Sequence, residues 1–172
     1  MKPKLPLPEP VEILIMDVDG VLTDGGMYFD AQGQALKRFD VKDGLALVRL
    51  HEMGFPTAVV SGDDSAITRA RTERMHITHV VLGRMDKEDA VREVLADAGV
   101  RAERAVYVGD DVSDLPAMRA VGLGVAVADA VDEVKAAAGW VTERPGGRGA
   151  VREVCDAILA QRTSDSGPRR SD

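Results

Sequence analysis

The sequence predicts an α/β domain built on a Rossmann-like, doubly wound and mostly parallel sheet, with a small β-hairpin flap. Three observations carry this expectation. Short runs rich in Val, Ile and Leu alternate with helix-patterned segments, the signature of βαβ units. Several of these runs end at once in small or acidic residues: Asp17-Val18-Asp19-Gly20, Ser61-Gly62 and Gly109-Asp110-Asp111. Aromatic residues make up only 3% of the chain, so the core must be aliphatic, as buried parallel strands are.

The first strand is the apolar run Ile13-Leu14-Ile15-Met16, closed by Asp17, Asp19 and Gly20. Thr23–Gly26 reads as a turn. Met27–Phe29 and Ala35–Phe39 flank the loop Asp30–Gln34 and predict a hairpin. Gly44–Met53 has helical spacing and stops at Gly54. Phe55–Val60 is the second buried strand and ends in Ser61-Gly62. Ser65–Met75 is an arginine-rich helix, and His79–Leu82 a short strand. In Lys87–Ala98, Ala90, Val91, Val94, Leu95 and Ala98 form one apolar face, and Gly99 stops the helix.

Ala105–Val108 is the strand before Gly109-Asp110-Asp111. Asp114–Val121 is a short helix that tolerates Pro116 in its first turn. Leu123–Val127 is a strand, Val131–Ala138 a helix, Trp140-Val141 an edge strand and Gly149–Ala160 the closing helix. The expected organisation is a disordered lead over residues 1–10, one domain over residues 11–160 and a disordered tail over residues 161–172.

The chain has 172 residues, enough for one sizeable core. Its formal net charge of −7 argues against a nucleic-acid backbone as partner. Cys155 is the single cysteine, which excludes an internal disulfide and suggests a core filler. Met1–Pro10 has four prolines and no apolar segment, unlike a signal peptide, and no run reaches the length of a membrane span. The expected location is the cytoplasm, with no membrane partner.

In open α/β sheets, ligands gather beyond the carboxyl ends of the strands. That edge collects Asp17 and Asp19, Ser61 and Gly62, Lys87, and Asp110, Asp111 and Asp114. Two ionised carboxylates about 4 Å apart repel by roughly 4 kcal/mol at an effective dielectric near 20, so the acids call for a cation. Oxygen ligands without His or Cys suit magnesium and not zinc. A metal-held carboxylate, a hydroxyl with backbone amides and a lysine suit phosphoryl transfer. Asp17 can then be the nucleophile, and Asp19 the proton donor and acceptor.

These residues match, in order, the four motifs of the haloacid dehalogenase superfamily of phosphatases. Asp17–Gly25, Phe39–Gly44, Tyr107–Asp111, Val125–Ala130 and Gly146–Cys155 further resemble the 3-deoxy-D-manno-octulosonate 8-phosphate phosphatase family. The resemblance implies magnesium held by Asp17, the backbone carbonyl of Asp19 and Asp110. It implies that Ser61, Gly62 and Lys87 grip the phosphoryl group, with Asp111 and Asp114 in supporting contact. The substrate would be a phosphorylated sugar acid. Only 44 positions separate Asp17 from Ser61 and 26 separate Ser61 from Lys87, so no cap domain fits. Capless relatives exclude water as homotetramers. By that analogy Met27–Phe39 lies at a subunit interface, and Arg148, in the Gly146–Gly149 turn, near the substrate.

One residue departs from the pattern. The octulosonate enzymes usually continue the second motif as Thr-Gly-Arg, and here Asp63 replaces the arginine; Arg69 or Arg71 could compensate. The departure leaves open a phosphatase for another small sugar phosphate or for a nonulosonate 9-phosphate. Rivals of other classes are a phospho-aspartate receiver and an idle oligomerisation module. Simpler roles exist for single residues. Asp111 and Asp114 can cap a helix, Lys42 and Asp43 can be an exposed ion pair, and Met27 and Tyr28 can pack the hairpin. His51, His76 and His79 lack metal-binding spacing.

Overall fold

The computed structural model describes residues 6–165. In chain order its elements are β1 (Ile13–Met16), β2 (Thr23–Asp30), β3 (Gly33–Phe39), α1 (Val41–Glu52), β4 (Thr57–Val60), α2 (Ala66–Arg74), β5 (His79–Val81) and α3 (Lys87–Ala98). They continue as β6 (Ala105–Gly109), α4 (Leu115–Arg119), β7 (Leu123–Ala126), α5 (Asp132–Ala137), β8 (Trp140–Val141) and α6 (Ala150–Asp165). Short 3-10 turns at Ala102–Arg104 and Val112–Asp114 flank β6.

Six strands form one parallel sheet in the order β5-β4-β1-β6-β7-β8. The expected doubly wound architecture is present. β1, β4 and β6 are buried along their whole length, which is why they read as unbroken apolar runs. With right-handed crossovers, α1 and α2 cover one face of the sheet and α3 to α5 the other. α6 returns to pack on α1. The chain leaves β1 toward β4 but leaves β6 toward β7. The order therefore reverses between β1 and β6, and a crevice opens beyond their carboxyl ends. β2 and β3 form a separate antiparallel ribbon. That ribbon and α1 fill the stretch between β1 and β4.

Several element ends differ from expectation, each for a local reason. Thr23–Gly26 belongs to β2 and is not a turn. The turn lies earlier, where the amides of Val21, Leu22 and Thr23 all donate to the Val18 carbonyl. α1 begins at Val41 because the Asp40 carboxylate caps it by accepting from the Lys42 amide. α6 runs on to Asp165, into the expected tail. There the Gln161 side-chain amide accepts from Val11 N–H and donates to the Pro8 carbonyl. Residues 1–5 and 166–172 lie outside the described residues.

Asp43 is not an exposed partner of Lys42. It is buried on α1, where its carboxylate accepts from Gly149 N–H at 3.2 Å and Arg152 N–H at 2.7 Å, capping α6 from a neighbouring helix. Burial raises its pKa, and the two amides pull it back. Cys155 is buried as expected, and burial holds its thiol protonated.

The cap holds the glycine turn before α6 against the loop after β1. Gly147 N–H donates to Val21 O at 2.9 Å, Gly146 N–H donates to Asp129 Oδ1 at 2.8 Å, and the Arg38 guanidinium donates to Gly147 O at 2.6 Å. A Cβ on Gly146 would stand 1.7 Å from Gly20 O. Gly146→Ala must therefore unseat the turn, and we predict a stability loss of about 1–3 kcal/mol by urea unfolding. A variant as stable as the parent would show that the turn is not held there.

Candidate active site

Met16 is in register with Val108, so β1 and β6 deliver Asp17 and Asp110 to the same end of the sheet. Gly20 brings the two loops together. Its φ of 81° turns the chain, and a Cβ there would fall 2.0 Å from Asp110 Oδ2. Asp17 is buried. Its Oδ1 accepts from Val18 N–H at 2.7 Å and its Oδ2 accepts from Lys87 Nζ at 2.7 Å. Lys87 opens α3 yet is only 5% exposed, and its ammonium also donates to Asp114 Oδ1 at 2.7 Å.

Asp114 is fully buried and fully engaged. Oδ1 also accepts from Tyr107 OH at 2.7 Å, and Oδ2 accepts from the amides of Asp110 and Asp111 at 2.9 and 3.3 Å. Carboxylate oxygens of Asp17, Asp110 and Asp114 lie within 4.8 Å of one another. Asp114 carries two donors on each oxygen, whereas Asp17 carries one on each, so Asp17 and Asp110 are the carboxylates with acceptor capacity to spare for a cation. Asp111 is exposed, and its side chain caps the turn at Val112.

On the other side of β1, Ser61 is buried just beyond β4, with Gly62 exposed beside it. Ser61 Oγ accepts from Asp63 N–H at 3.1 Å. The carboxylate of Asp63 does not stand alone. Its Oδ2 accepts from Thr68 Oγ1 at 2.6 Å, Ser65 Oγ at 2.7 Å and Lys37 Nζ at 2.9 Å. The same ammonium donates to Asp19 at 2.8 Å. Burial alone would raise the Asp63 pKa, but these hydrogen bonds outweigh it and hold the carboxyl well below its usual range. The arginines proposed to compensate do other work. Arg69 pairs with Asp64, and Arg71 lies over the Phe39 ring and donates to the Asp40 carbonyl. The Arg148 side chain is 57% exposed and stands 3.6 Å from Asp24 at the base of the hairpin.

Residues 58–153 match the haloacid dehalogenase-like hydrolase family. The chain is 46% identical over 151 residues to the 3-deoxy-D-manno-octulosonate 8-phosphate phosphatase of Haemophilus influenzae, covering 88% of this chain and 84% of that protein. The chain belongs to this phosphatase family. The cobalt-bound structure of the Haemophilus influenzae phosphatase superposes with a TM-score of 0.88 at 45% identity, covering 92% of each chain. The Moraxella catarrhalis phosphatase, solved with magnesium, phosphate and KDO, superposes with a TM-score of 0.84 at 36% identity, covering 88% of this chain and 87% of that one.

In this member of the phosphatase family the acids fit a divalent cation on electrostatic grounds. Burial and the charge of Asp114 push Asp17 up to about 6, against the pull of Lys87. Burial, Asp114 and Asp17 push Asp110 up to about 8. Burial works against the Lys87 charge, yet Asp17 and Asp114 raise its pKa and keep it an ammonium. The crevice thus carries more negative charge than one lysine offsets. Sequence reading placed Asp17, Asp110, Asp114 and Lys87 on the right edge. It missed Lys37, whose role depends on the hairpin folding back, and the Tyr107 hydroxyl on Asp114, although Tyr107–Asp111 is one of the segments that carry the family resemblance.

Carboxylates ionise near pH 4 in the unfolded chain. Asp17 and Asp110 do so only at about 6 and about 8 in the folded, metal-free chain. The folded state therefore loses stability as pH climbs from about 4 through those values. A bound cation reverses the loss. We predict that magnesium raises the thermal midpoint of chelator-treated protein more at pH 8 than at pH 5, and that Asp110→Asn abolishes the gain. Equal gains at both pH values, or a gain that survives Asp110→Asn, would contradict the shared site.

Proposed function

We propose that this protein is a magnesium-dependent phosphomonoesterase that hydrolyses 3-deoxy-D-manno-octulosonate 8-phosphate through an aspartyl-phosphate. The observation that carries the reading is the Lys87 ammonium buried between Asp17 and Asp114, at the switch point where Asp110 faces Asp17. The named substrates and ligands of the relatives supply the sugar acid.

In this reading a carboxylate oxygen of Asp17 attacks phosphorus, and the bond from phosphorus to the sugar oxygen breaks. Val18 N–H and Lys87 hold the attacking carboxylate in place. Asp19 gives its proton to the departing sugar oxygen and then takes one from the water that attacks the phospho-aspartate. That second attack releases phosphate and restores Asp17. Magnesium, held by Asp17, Asp110 and the Asp19 carbonyl, would neutralise charge on the phosphoryl oxygens. Lys87 spends two of its three protons on Asp17 and Asp114, which leaves one for a phosphoryl oxygen. Ser61 Oγ and Gly62 N–H complete the grip, and Asp114 and Asp111 support the loop that carries Asp110. Arg148, exposed beside Asp24, is the residue we assign to the leaving group.

The reading extends to assembly and location. The ribbon exposes Met27, Tyr28, Phe29 and Leu36, each more than half accessible. Met27 and Tyr28 are therefore not packed within the hairpin. A second copy of the chain is the partner we assign to this apolar strip, in a homotetramer that closes the site against water. No helix among the described residues is long and apolar enough to cross a membrane. A cytoplasmic location goes with this reading.

Phosphate release from aryl phosphate and from octulosonate 8-phosphate tests the chemistry. We predict activity that a chelator removes and magnesium restores, and a loss of at least about a thousandfold in Asp17→Asn. Activity that persists in either case would remove Asp17 or the metal from the account. Light scattering should give a mass near four times 18.4 kDa; a monomer would exclude the closed tetramer.

A further inference from the structure

We propose that Lys37 is a positioning residue of this phosphatase, holding Asp19 for proton transfer and cancelling the charge of Asp63 beside the leaving group. The inference rests on the reading of Asp19 as the proton donor and acceptor. Lys37 comes from β3, in the hairpin, and its side chain is completely covered. All three of its protons are engaged, with Asp19 at 2.8 Å, Asp63 at 2.9 Å and Thr68 Oγ1 at 3.3 Å. It has no donor left to bind a substrate directly, so its effect must pass through these partners.

The partners come from two neighbouring loops. Asp19 belongs to the loop after β1, and Asp63 to the loop after β4, where its amide meets the Ser61 hydroxyl. One ammonium thus joins the proton-transfer group to the phosphate-gripping loop. The hydrogen-bond directions agree throughout. Thr68 and Ser65 each donate to Asp63 Oδ2, which leaves the Thr68 oxygen free to accept from Lys37. The Ser65 oxygen in turn caps α2 by accepting from Thr68 N–H. Every hydrogen bond described for the Asp63 carboxylate falls on Oδ2.

Electrostatics give Lys37 a second role. Asp19 and Asp63 keep 23% and 22% of their side chains exposed, and the reading of Asp19 as proton donor puts the leaving group beside them. Without the ammonium, Asp63 and, once it has given up its proton, Asp19 would face an anionic sugar acid. With it, the local charge falls by one unit. A leaving group that carries its own carboxylate senses this difference far more than an uncharged aryl group.

Steady-state kinetics on the full-length protein test the proposal, with aryl phosphate and octulosonate 8-phosphate as substrates. Lys37→Met should lower kcat on both by on the order of ten- to a hundredfold, as expected when a reacting group is left unfixed. It should also raise KM for the sugar acid roughly fivefold or more beyond any change for the aryl ester. Adding Asp63→Asn should bring the KM ratio back while kcat stays low, and Lys37→Arg should rescue both in part. A parental kcat in Lys37→Met, or equal KM changes for the two substrates, would overturn the proposal. If Lys37→Met does not fold, Asp63→Asn alone decides. A fall in KM for the sugar acid relative to the aryl ester supports the pair, and an unmoved ratio refutes it. Failure of the underlying reading looks different, since the parent would then lack magnesium-dependent phosphatase activity altogether.

Discussion

The rest of the site depends on one buried ion cluster, in which the Lys87 ammonium sits between Asp17 and Asp114 at 2.7 Å from each. Such a cluster is costly to desolvate, and removing one member of a buried pair commonly costs about 3–5 kcal/mol. It persists here because each charge is answered. Tyr107 and two backbone amides complete Asp114, and Val18 N–H completes Asp17. The cluster joins the ends of β1 and β6 to the start of α3, three segments far apart in sequence. Among the described residues Asp110 has no ion-pair partner, and there the electrostatics favour a metal.

A second set of contacts sets the walls. Asp43, buried on α1, caps α6 across a separation of 106 residues and so holds the glycine turn against the loop after β1. The hairpin is tied down at two points, by Lys37 to Asp19 and Asp63, and by Arg38 to the glycine turn. A chain with no inserted domain between these elements thus shapes its crevice with a two-stranded ribbon and a turn. Met27, Tyr28, Phe29 and Leu36 of the ribbon remain exposed in the single chain, which is the feature that assembly would use.

The fold was largely legible in the sequence because buried parallel strands leave an unmistakable apolar run, and because Asp17, Ser61 and Asp110 each follow such a run directly. Asp17, Ser61 and Asp110 could be placed from that rule alone. Element ends were less legible, since Asp40 sets the start of α1 by a hydrogen bond and not by apolar spacing. The roles of Lys37, Asp43 and Tyr107 were hidden for a different reason. Each is ordinary within its own strand or helix and gains its meaning from a partner that only tertiary folding supplies. Asp63 looked like a misplaced charge for the same reason, until the hairpin lysine was seen on it.

Asp114 holds Lys87 here, and Asp17 and Asp110 are the carboxylates proposed to share one divalent ion. The most direct test is an anomalous difference map from crystals soaked in manganese. The account predicts a peak within direct coordination distance of the Asp17 and Asp110 carboxylates, with Lys87 still bonded to Asp114. A peak coordinated by Asp114 with Lys87 displaced, or no peak between Asp17 and Asp110, would contradict it.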